Sequence, residues 1–316
     1  MHIIDFHEHH IDSAAALALA CYAEERARTA VLPQADFTPL LQELAGNGLG
    51  VAAFEQGRMV GFLLCCGPFD HAFRATDAKG VFSPMGAHAA IAEHREAIYA
   101  AMYQAAAAKW VRAGAVSHAV CLYAHDEALQ RLFFHYGFGL RCMDAMRPMQ
   151  PVGCAPCAGY ELIELPRDEH AAVYPLYLAL HEHYCTSPFF MNRAPDTKAA
   201  FLAASGQEDV RILAARRGDA LCAFLKISPS GEPVAASGST YRHITGAYCL
   251  PEYRGTGLYL NLLNFAISAL QKEGYTRLGV TFESFNPAGR GFWLKHFSAY
   301  THSVVRRIDE RILRRI

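Results

Sequence analysis

The chain has 316 residues, 52% hydrophobic and 19% charged, a composition that predicts a compact protein of about two domains. Its formal net charge of −1 argues against nucleic acid as the principal partner. No apolar run approaches the roughly 18 residues that cross a bilayer, and the chain start has no signal-peptide pattern. Most of the ten cysteines lie in apolar runs, where free thiols act as small hydrophobes, so we expect a cytoplasmic protein without a membrane partner.

The first polar cluster is the run from Asp5 to His10, which follows a short strand-like segment. His7 and His9 would lie on one face of a strand, and two imidazoles at this spacing can ligate zinc. Metal-dependent hydrolases of the barrel type often begin with such a run, so this class is one alternative. A barrel requires eight repeated strand–helix units. The chain shows a two-fold repeat, and we therefore expect no metal site.

Three landmarks in the first half of the chain recur about 160 residues later. Each half has an apolar hairpin, a long helix that ends at a glycine, and a short helix followed by an aromatic residue. Such a spacing indicates a duplicated domain. The paired landmarks are Gly57 and Gly218 in the hairpins, Gly114 and Gly274 at the helix ends, and Phe138 and Phe297 after the short helices.

A Pro- and Gly-rich connector, 149–159, separates the two halves, and we place the domain boundary there, with 1–150 as the first domain and 151–316 as the second. The long helices are predicted over 93–113 and 258–273. Short strands, at 118–123 and 277–282, follow them. The order of elements predicts a mixed α/β fold in each half, with a central, largely antiparallel sheet.

The second half carries a strand end, a Gly-rich turn, a long helix and an Asn-Pro-Ala helix start in one order. The residues are Tyr248-Cys249-Leu250, Pro251-Glu252-Tyr253-Arg254-Gly255-Thr256-Gly257, and Phe282 to Ala288 running on to Phe297. With these motifs it resembles the GCN5-related N-acetyltransferase (GNAT) family. The first half resembles the same fold more weakly, because its turn at 83–88 has no Arg-Gly-x-Gly. The whole chain therefore resembles a tandem GNAT protein with an intact acyl-CoA site in the second domain and a degenerate one in the first.

The resemblance implies acetyl-CoA as co-substrate. Backbone N–H groups of the turn before the long helix would hold the pyrophosphate, because a helix N-terminus attracts anions. The pantetheine arm would pair with the strand end, where an N–H near Cys249 or Leu250 would also polarise the thioester carbonyl. Tyr259 stands where the family has its next glycine, and its bulk could narrow the site. The implied cofactor-binding set is Tyr248, Cys249, Leu250, Arg254, Gly255, Thr256, Gly257, Leu258, Tyr259, Asn286 and Phe292.

Transfer to an amine needs a general base, because an ammonium group has no lone pair. One candidate is His243, in the strand where the family often carries a glutamate, and strand alternation groups it with Thr245 and Ala247. The other candidate is Glu283, at the end of the following strand.

The acid step departs from the family pattern. Phe292 occupies the position of a tyrosine that protonates the departing thiolate in many members, so Tyr248 or water would take that role. Asn286 matches the family's asparagine and is expected both to hydrogen-bond within the site and to cap its helix.

The sequence thus predicts an N-acetyltransferase that transfers the acetyl group directly to a primary amine of a small molecule or peptide. The first domain would shape the acceptor cleft or stabilise the pair. The run 181–184, with Phe189 and Phe190, lies in the family's variable acceptor region. The alternative is a non-catalytic acyl-CoA sensor or scaffold, which the degenerate first domain, Phe292 and Tyr259 would suit.

Overall fold

The computed structural model describes residues 1–315. Its internal contacts define two compact units. The first comprises Met1–Asp144, Pro233–Ala235 and the described residues from Ala299 onward, and the second comprises Ala145–Glu232 and Ala236–Ser298. The division into domains 1–150 and 151–316 stays a prediction. Among the described residues, none of the helices has both the length and the apolar character that a membrane-spanning segment needs.

Both halves of the chain contain helices and strands. The strands are β1 (His2–Asp5), β2 (Val51–Glu55), β3 (Arg58–Leu63), β4 (Cys66–Phe69), β5 (Gly80–Ser83), β6 (His88–Ala90), β7 (Ser117–Tyr123), β8 (Gly139–Pro148), β9 (Glu161–Leu165), β10 (Arg211–Arg217), β11 (Ala220–Ser228), β12 (Tyr241–Cys249), β13 (Arg277–Glu283) and β14 (Ser298–Arg307). The helices are α1 (Ile11–Arg28), α2 (Thr38–Ala45), α3 (Arg95–Arg112), α4 (Glu127–His135), α5 (Tyr174–Cys185), α6 (Lys198–Ser205), α7 (Leu258–Lys272) and α8 (Pro287–His296).

The first unit contains two sets of paired strands. β1, β2, β3 and β6 pair in that order, each antiparallel to the next. In the second set, β5 pairs antiparallel with β4 and parallel with β7. β14 pairs antiparallel with β7 from Thr301 to Arg307, so a strand from the far end of the chain joins this set.

The second unit is built on β9, β10, β11, β12 and β13, which pair in that order. The pairings from β9 to β12 are all antiparallel, whereas β12 and β13 are parallel. Parallel neighbours need a crossover connection, and α7 provides it between β12 and β13. The functional residues discussed below lie at the ends of these two strands.

Helix α7 buries one face because its apolar residues recur every three or four positions. Each leucine on that face contributes about 1.5–3 kcal/mol relative to an exposed position. The helix ends where Gly274 takes a positive φ of 90°, a conformation that glycine adopts without strain. The buried residues of this face are Leu258, Leu262, Leu263, Ala266, Ile267 and Leu270.

The fold-class prediction is confirmed, since both units are mixed α/β with largely antiparallel strand pairing. The predicted long helices are α3 and α7, and their ends differ from the predicted ones by no more than two residues. The placement of His7 and His9 on a strand was wrong. β1 ends at Asp5, and Glu8–His10 form a 3-10 turn in which the His7 N–H donates to His10 Nδ1 at 3.1 Å. Within residues 1–315, no group of three or more His, Cys, Asp or Glu side chains could hold a metal ion.

Candidate active site

The two parallel strands of the second unit stop pairing before they end. The last registered pair is Ile244 with Val280, yet β12 continues to Cys249 and β13 continues to Glu283. On its other side, β12 remains paired with β11 as far as Cys249. One edge of β12 is therefore left without a strand partner over its last residues.

A β-bulge at Thr245 precedes this open edge. Ile244 pairs with Ile227 and Gly246 pairs with Lys226, so Thr245 is the extra residue on β12. A bulge resets the alternation of side chains along a strand. The sequence-based grouping of His243 with Ala247 on one face was therefore wrong, whereas the Thr245 hydroxyl lies 2.8 Å from that of Ser228, the residue paired with His243.

The backbone of Cys249 faces the open edge. The Leu250 N–H donates to the carbonyl oxygen of Cys222 at 3.0 Å, and in an antiparallel pair such bonded positions alternate with unbonded ones. Cys249 lies opposite Ala223 at an unbonded position. Of the two backbone donors expected near the thioester, the Leu250 N–H is thus already used by β11, and the Cys249 N–H points into the gap.

A cavity of about 240 Å³ lies beside this gap. It brings together seven of the residues expected to bind the cofactor, drawn from the end of β12, the turn before α7, α7 itself and α8. Its lining is mainly apolar, as in most small-molecule sites. The seven are Tyr248, Cys249, Arg254, Gly255, Tyr259, Asn286 and Phe292, and the other lining residues are Leu180, His183, Ala247, Ala288, Gly289 and Trp293.

The turn at the mouth of the cavity is built on two glycines with positive φ. Gly255 has a φ of 76°, and Gly257, the N-cap of α7, has a φ of 86°. Thr256 closes the turn by donating its hydroxyl to the Tyr253 carbonyl oxygen at 2.8 Å. A Cβ atom at Gly255 would meet no atom within 4 Å, so this side of the turn is open. Together with the N-terminus of a 15-residue helix, the turn can receive a phosphate group.

Arg254 supports the end of β12. Its Nε donates to the Cys249 carbonyl oxygen at 2.9 Å, and its guanidinium carbon lies 5.3 Å from the centre of the Tyr248 ring. Burial, and secondarily the charge of Arg254, lower the pKa of His183, which also lines the cavity. Arg254 therefore gives the cavity a positive charge and holds the strand end in place.

Tyr259 lies in the wall of the cavity. Its hydroxyl donates to the Phe224 carbonyl oxygen of β11 at 3.1 Å, and burial raises its pKa well above the usual range. Its ring meets the Phe292 ring edge-on, with centroids 5.3 Å apart. The tyrosine at the family's glycine position thus contributes to the cavity lining.

Asn286 caps α8, since its side-chain oxygen accepts a hydrogen bond from the Gly289 N–H at 2.9 Å. A Cβ atom on Gly289 would lie 2.5 Å from the Asn286 amide nitrogen, so the cap requires a glycine there. Phe292 and Trp293 follow on the same helix and present aromatic surface to the cavity. Asn286 therefore has the capping role expected for it, and it also lines the cavity.

His243 lies outside the cavities found between β12 and β13. It is buried at 3% exposure, with Nδ1 2.6 Å from the Tyr241 hydroxyl and Nε2 3.3 Å from the Thr281 hydroxyl. Burial lowers its pKa to about 4, so the imidazole is neutral near pH 7. A base must reach the proton that it removes. The described geometry therefore gives His243 a structural position, contrary to the expectation that it serves as the base.

Glu283 lines a second cavity, of about 100 Å³, in the gap between the strand ends. This cavity shares Leu180, Ala247, Asn286 and Trp293 with the larger one, so the two are contiguous. Glu283 is 8% exposed, and its Oε1 accepts a hydrogen bond from Arg193 Nη2 at 3.2 Å. The second candidate base thus lies beside the cofactor-type cavity. Arg193 escaped sequence analysis because it lies in the α5–α6 connection with no motif around it.

Among the described residues of the first unit, no equivalent turn precedes α3. The segment directly before α3 is 91–94, which contains no glycine and ends at His94, the N-cap of the helix. The expectation that 83–88 forms this turn was wrong, because β6 intervenes. Gly86 does have a positive φ, but a Cβ atom there would lie 2.1 Å from the Phe37 ring, so its surroundings are filled.

Ion pairs occupy the region at the start of α3. Arg95 binds both carboxylate oxygens of Glu24, at 2.6 and 2.8 Å, and Asp126 at 3.2 Å. His125 Nδ1 lies 2.6 Å from Glu25, whose carboxylate raises the pKa of the imidazole. Three carboxylates around this helix start disfavour a phosphate group there.

Comparison with known proteins agrees with this architecture. Residues 177–298 match the acetyltransferase (GNAT) family model. A GCN5-related N-acetyltransferase from Sphaerobacter thermophilus superposes with a TM-score of 0.63 at 14% identity, covering 96% of this chain and 95% of that one. A tandem GNAT protein from the clavulanic acid biosynthesis pathway superposes with a TM-score of 0.50 at 13% identity, covering 97% of this chain and 98% of that one. A GCN5-related glucosamine N-acetyltransferase region of a fungal multi-domain β-N-acetylglucosaminidase superposes with a TM-score of 0.58 at 13% identity, covering 96% of this chain and 38% of that one. The search of curated proteins found no match.

The family match and the candidate site lie in the same part of the chain. The family match covers α5 through β13 and α8, which are the elements that form both cavities. Residues 177–298 of the second half match the GNAT family model, and over its whole length the chain has a fold similar to that of a tandem GNAT protein.

Proposed function

We propose that the second unit binds acetyl-CoA and transfers its acetyl group to a primary amine of a small molecule or peptide, by direct attack in a ternary complex. The observation that carries this proposal is the loss of pairing between β12 and β13 beside the glycine turn of α7. The turn would receive the pyrophosphate. The open edge of β12 would hydrogen-bond the amide groups of the pantetheine arm as a further strand does.

The reaction forms a C–N bond between the amine nitrogen and the thioester carbonyl carbon and breaks the C–S bond. Glu283 is the proposed base that takes a proton from the amine, because it lines the cavity next to the cofactor site. The Cys249 N–H would stabilise the negative charge that develops on the carbonyl oxygen. The departing sulfur takes a proton from Tyr248 or from water, since Phe292 has no hydroxyl.

The test is calorimetric titration of acetyl-CoA into the protein, followed by measurement of thiol release with a panel of amines. The proposal expects micromolar binding and amine-dependent release of coenzyme A. Absence of binding would contradict the assignment of the turn. We also propose a cytoplasmic location, on the cysteine pattern of the sequence.

Phe292 supports a second candidate, a non-catalytic acyl-CoA sensor. In that case acetyl-CoA binds, but no amine accelerates thiol release. The phenylalanine at the position of the family's acid is the observation that favours it, because the cavity then lacks a phenol on α8.

A further inference from the structure

The ion pair between Arg193 and Glu283 lies between an inner cavity and an outer groove of the second unit. Glu283 lines the inner cavity, where the proposed reaction takes place. Arg193 lines an outer groove together with Leu178, Ala179, His181, Glu182, Cys185, Asn192 and Pro195. The bond of 3.2 Å between Arg193 Nη2 and Glu283 Oε1 thus joins the two spaces.

Arg193 is held in this place by its neighbours. Its carbonyl oxygen is 3.0 Å from His181 Nδ1, and its guanidinium carbon lies 5.8 Å from the centre of the Tyr184 ring. The side chain is 26% exposed, whereas that of Glu283 is 9% exposed. The guanidinium therefore reaches an almost fully buried carboxylate from a side that remains open to the groove.

The Arg193 guanidinium has a hydrogen-bond donor that is not used. Its Nε is buried and has no hydrogen-bond partner among the described residues. Arginine binds carboxylates best through two parallel hydrogen bonds, and here Glu283 accepts one from Nη2. A buried donor without an acceptor is unfavourable. An arrangement in which a ligand carboxylate takes two bonds from Arg193 would satisfy it.

We propose that the acceptor is an amine that carries its own carboxylate near the amino group, as an α-amino acid does. This inference rests on the proposed function. On binding, the acceptor's ammonium group replaces the guanidinium at Glu283, and the acceptor's carboxylate takes over Arg193. The exchange keeps each buried charge paired. A simple cationic amine would place a second positive charge beside Arg193 without compensation. Glu182, the other charged group of the groove, is exposed and therefore well screened.

The experiment compares matched acceptors that differ only in the carboxylate: L-phenylalanine with 2-phenylethylamine, L-tyrosine with tyramine, and L-ornithine with putrescine. We expect kcat/KM to be at least about 10-fold higher for the amino acid of at least one pair. In the Arg193→Gln variant that preference disappears through a higher KM for the amino acid, while acetyl-CoA affinity stays unchanged. Arg216→Gln, which removes an exposed guanidinium paired with Glu161, is the control and retains the preference.

The outcomes of this experiment distinguish a failure of this inference from a failure of the proposed acetyltransferase function. Acetyl-CoA binding with equal or faster turnover of every decarboxylated amine overturns the inference and leaves the acetyltransferase proposal standing. A preference that survives Arg193→Gln also overturns it. Absence of acetyl-CoA binding, or binding without turnover of any acceptor, overturns the proposed function itself.

Discussion

Asp126 and Asn286 cap corresponding helices in the two halves of the chain with the same hydrogen bond. Each side-chain oxygen accepts from the backbone N–H three residues later, Leu129 in one case and Gly289 in the other, at 2.9 Å. The two caps are 160 positions apart, in line with the repeat found in the sequence. Their surroundings differ, because Asp126 also binds Arg95 whereas Asn286 lines both cavities.

The first prediction concerns the turn that would hold the pyrophosphate. Gly257→Asp should weaken acetyl-CoA binding by about 10-fold or more, because its carboxylate would lie beside the phosphate groups. Asp and Asn both tolerate positive φ and both serve as N-caps, so Gly257→Asn isolates the charge. Calorimetry of the two variants is the measurement.

A glycine at the opposite end of α7 provides the control. Gly274 has a similar positive φ of 90°, and a Cβ atom there meets nothing within 4 Å. Gly274→Asp should leave acetyl-CoA affinity as in the wild type. Equal losses for Gly257→Asp and Gly274→Asp would mean that the turn has no special role.

The second prediction distinguishes the two candidate bases. Glu283→Gln keeps the shape of the side chain and removes the basic group, so kcat should fall by about 100-fold or more. His243→Gln should leave kcat and its pH dependence unchanged, because the imidazole lies outside the cavities. Steady-state rates between pH 6 and 9 test both. A larger loss of kcat in His243→Gln than in Glu283→Gln would restore the histidine as the base.

The third prediction concerns acid stability. Burial lowers the pKa of His243 to about 4, so between about pH 6.5 and pH 4 the unfolded chain takes up a proton at this site that the folded chain does not. The free energy of unfolding therefore decreases as the pH falls through this range, by about 1.4 kcal/mol per pH unit from this group. We expect the free energy of unfolding, measured in urea, to fall between pH 7 and pH 5 by about 2 kcal/mol less in His243→Gln than in the wild type. Parallel losses in both proteins would contradict the assignment.

The fourth prediction concerns the ion pairs of the first unit. Arg95 is 14% exposed and faces Glu24 and Asp126. Arg95→Met would leave both carboxylates without their cation, and we expect a loss of about 3 kcal/mol in unfolding free energy. Arg311→Met removes an exposed guanidinium that pairs with Asp309 and should change nothing measurable. Thermal and urea unfolding of both variants provide the comparison.

Much of the site could be predicted because its signals are local. Gly257, Asn286 and Gly274 mark helix ends, where the backbone requires particular residue types, and their neighbours in sequence are their neighbours in space. Phe292 and Tyr259 follow from the helix period once those ends are known. The structure brings seven of the eleven residues predicted to bind the cofactor together around one cavity, and their binding of the cofactor stays a prediction.

The remaining features depend on contacts between distant parts of the chain. The bulge at Thr245 arises from the register between β11 and β12, which no pattern within β12 reveals. Arg193 meets Glu283 across 90 positions of sequence. The environment of His243 depends likewise on β13, where the Thr281 hydroxyl lies 3.3 Å from His243 Nε2. These contacts are the reason that we propose Glu283 rather than His243 as the base, and they leave the fold prediction intact.

The pairing of β14 with β7 has a consequence for how the protein is made. Residues 117–123 leave the ribosome well before residues 301–307, so the nascent first unit must wait for its final strand while the whole second unit is synthesised. During that interval the β7 edge is exposed to any other strand that it meets. If the gene were split at the connector to produce two separate proteins, the first protein would lack β14, and its β7 edge would stay unpaired.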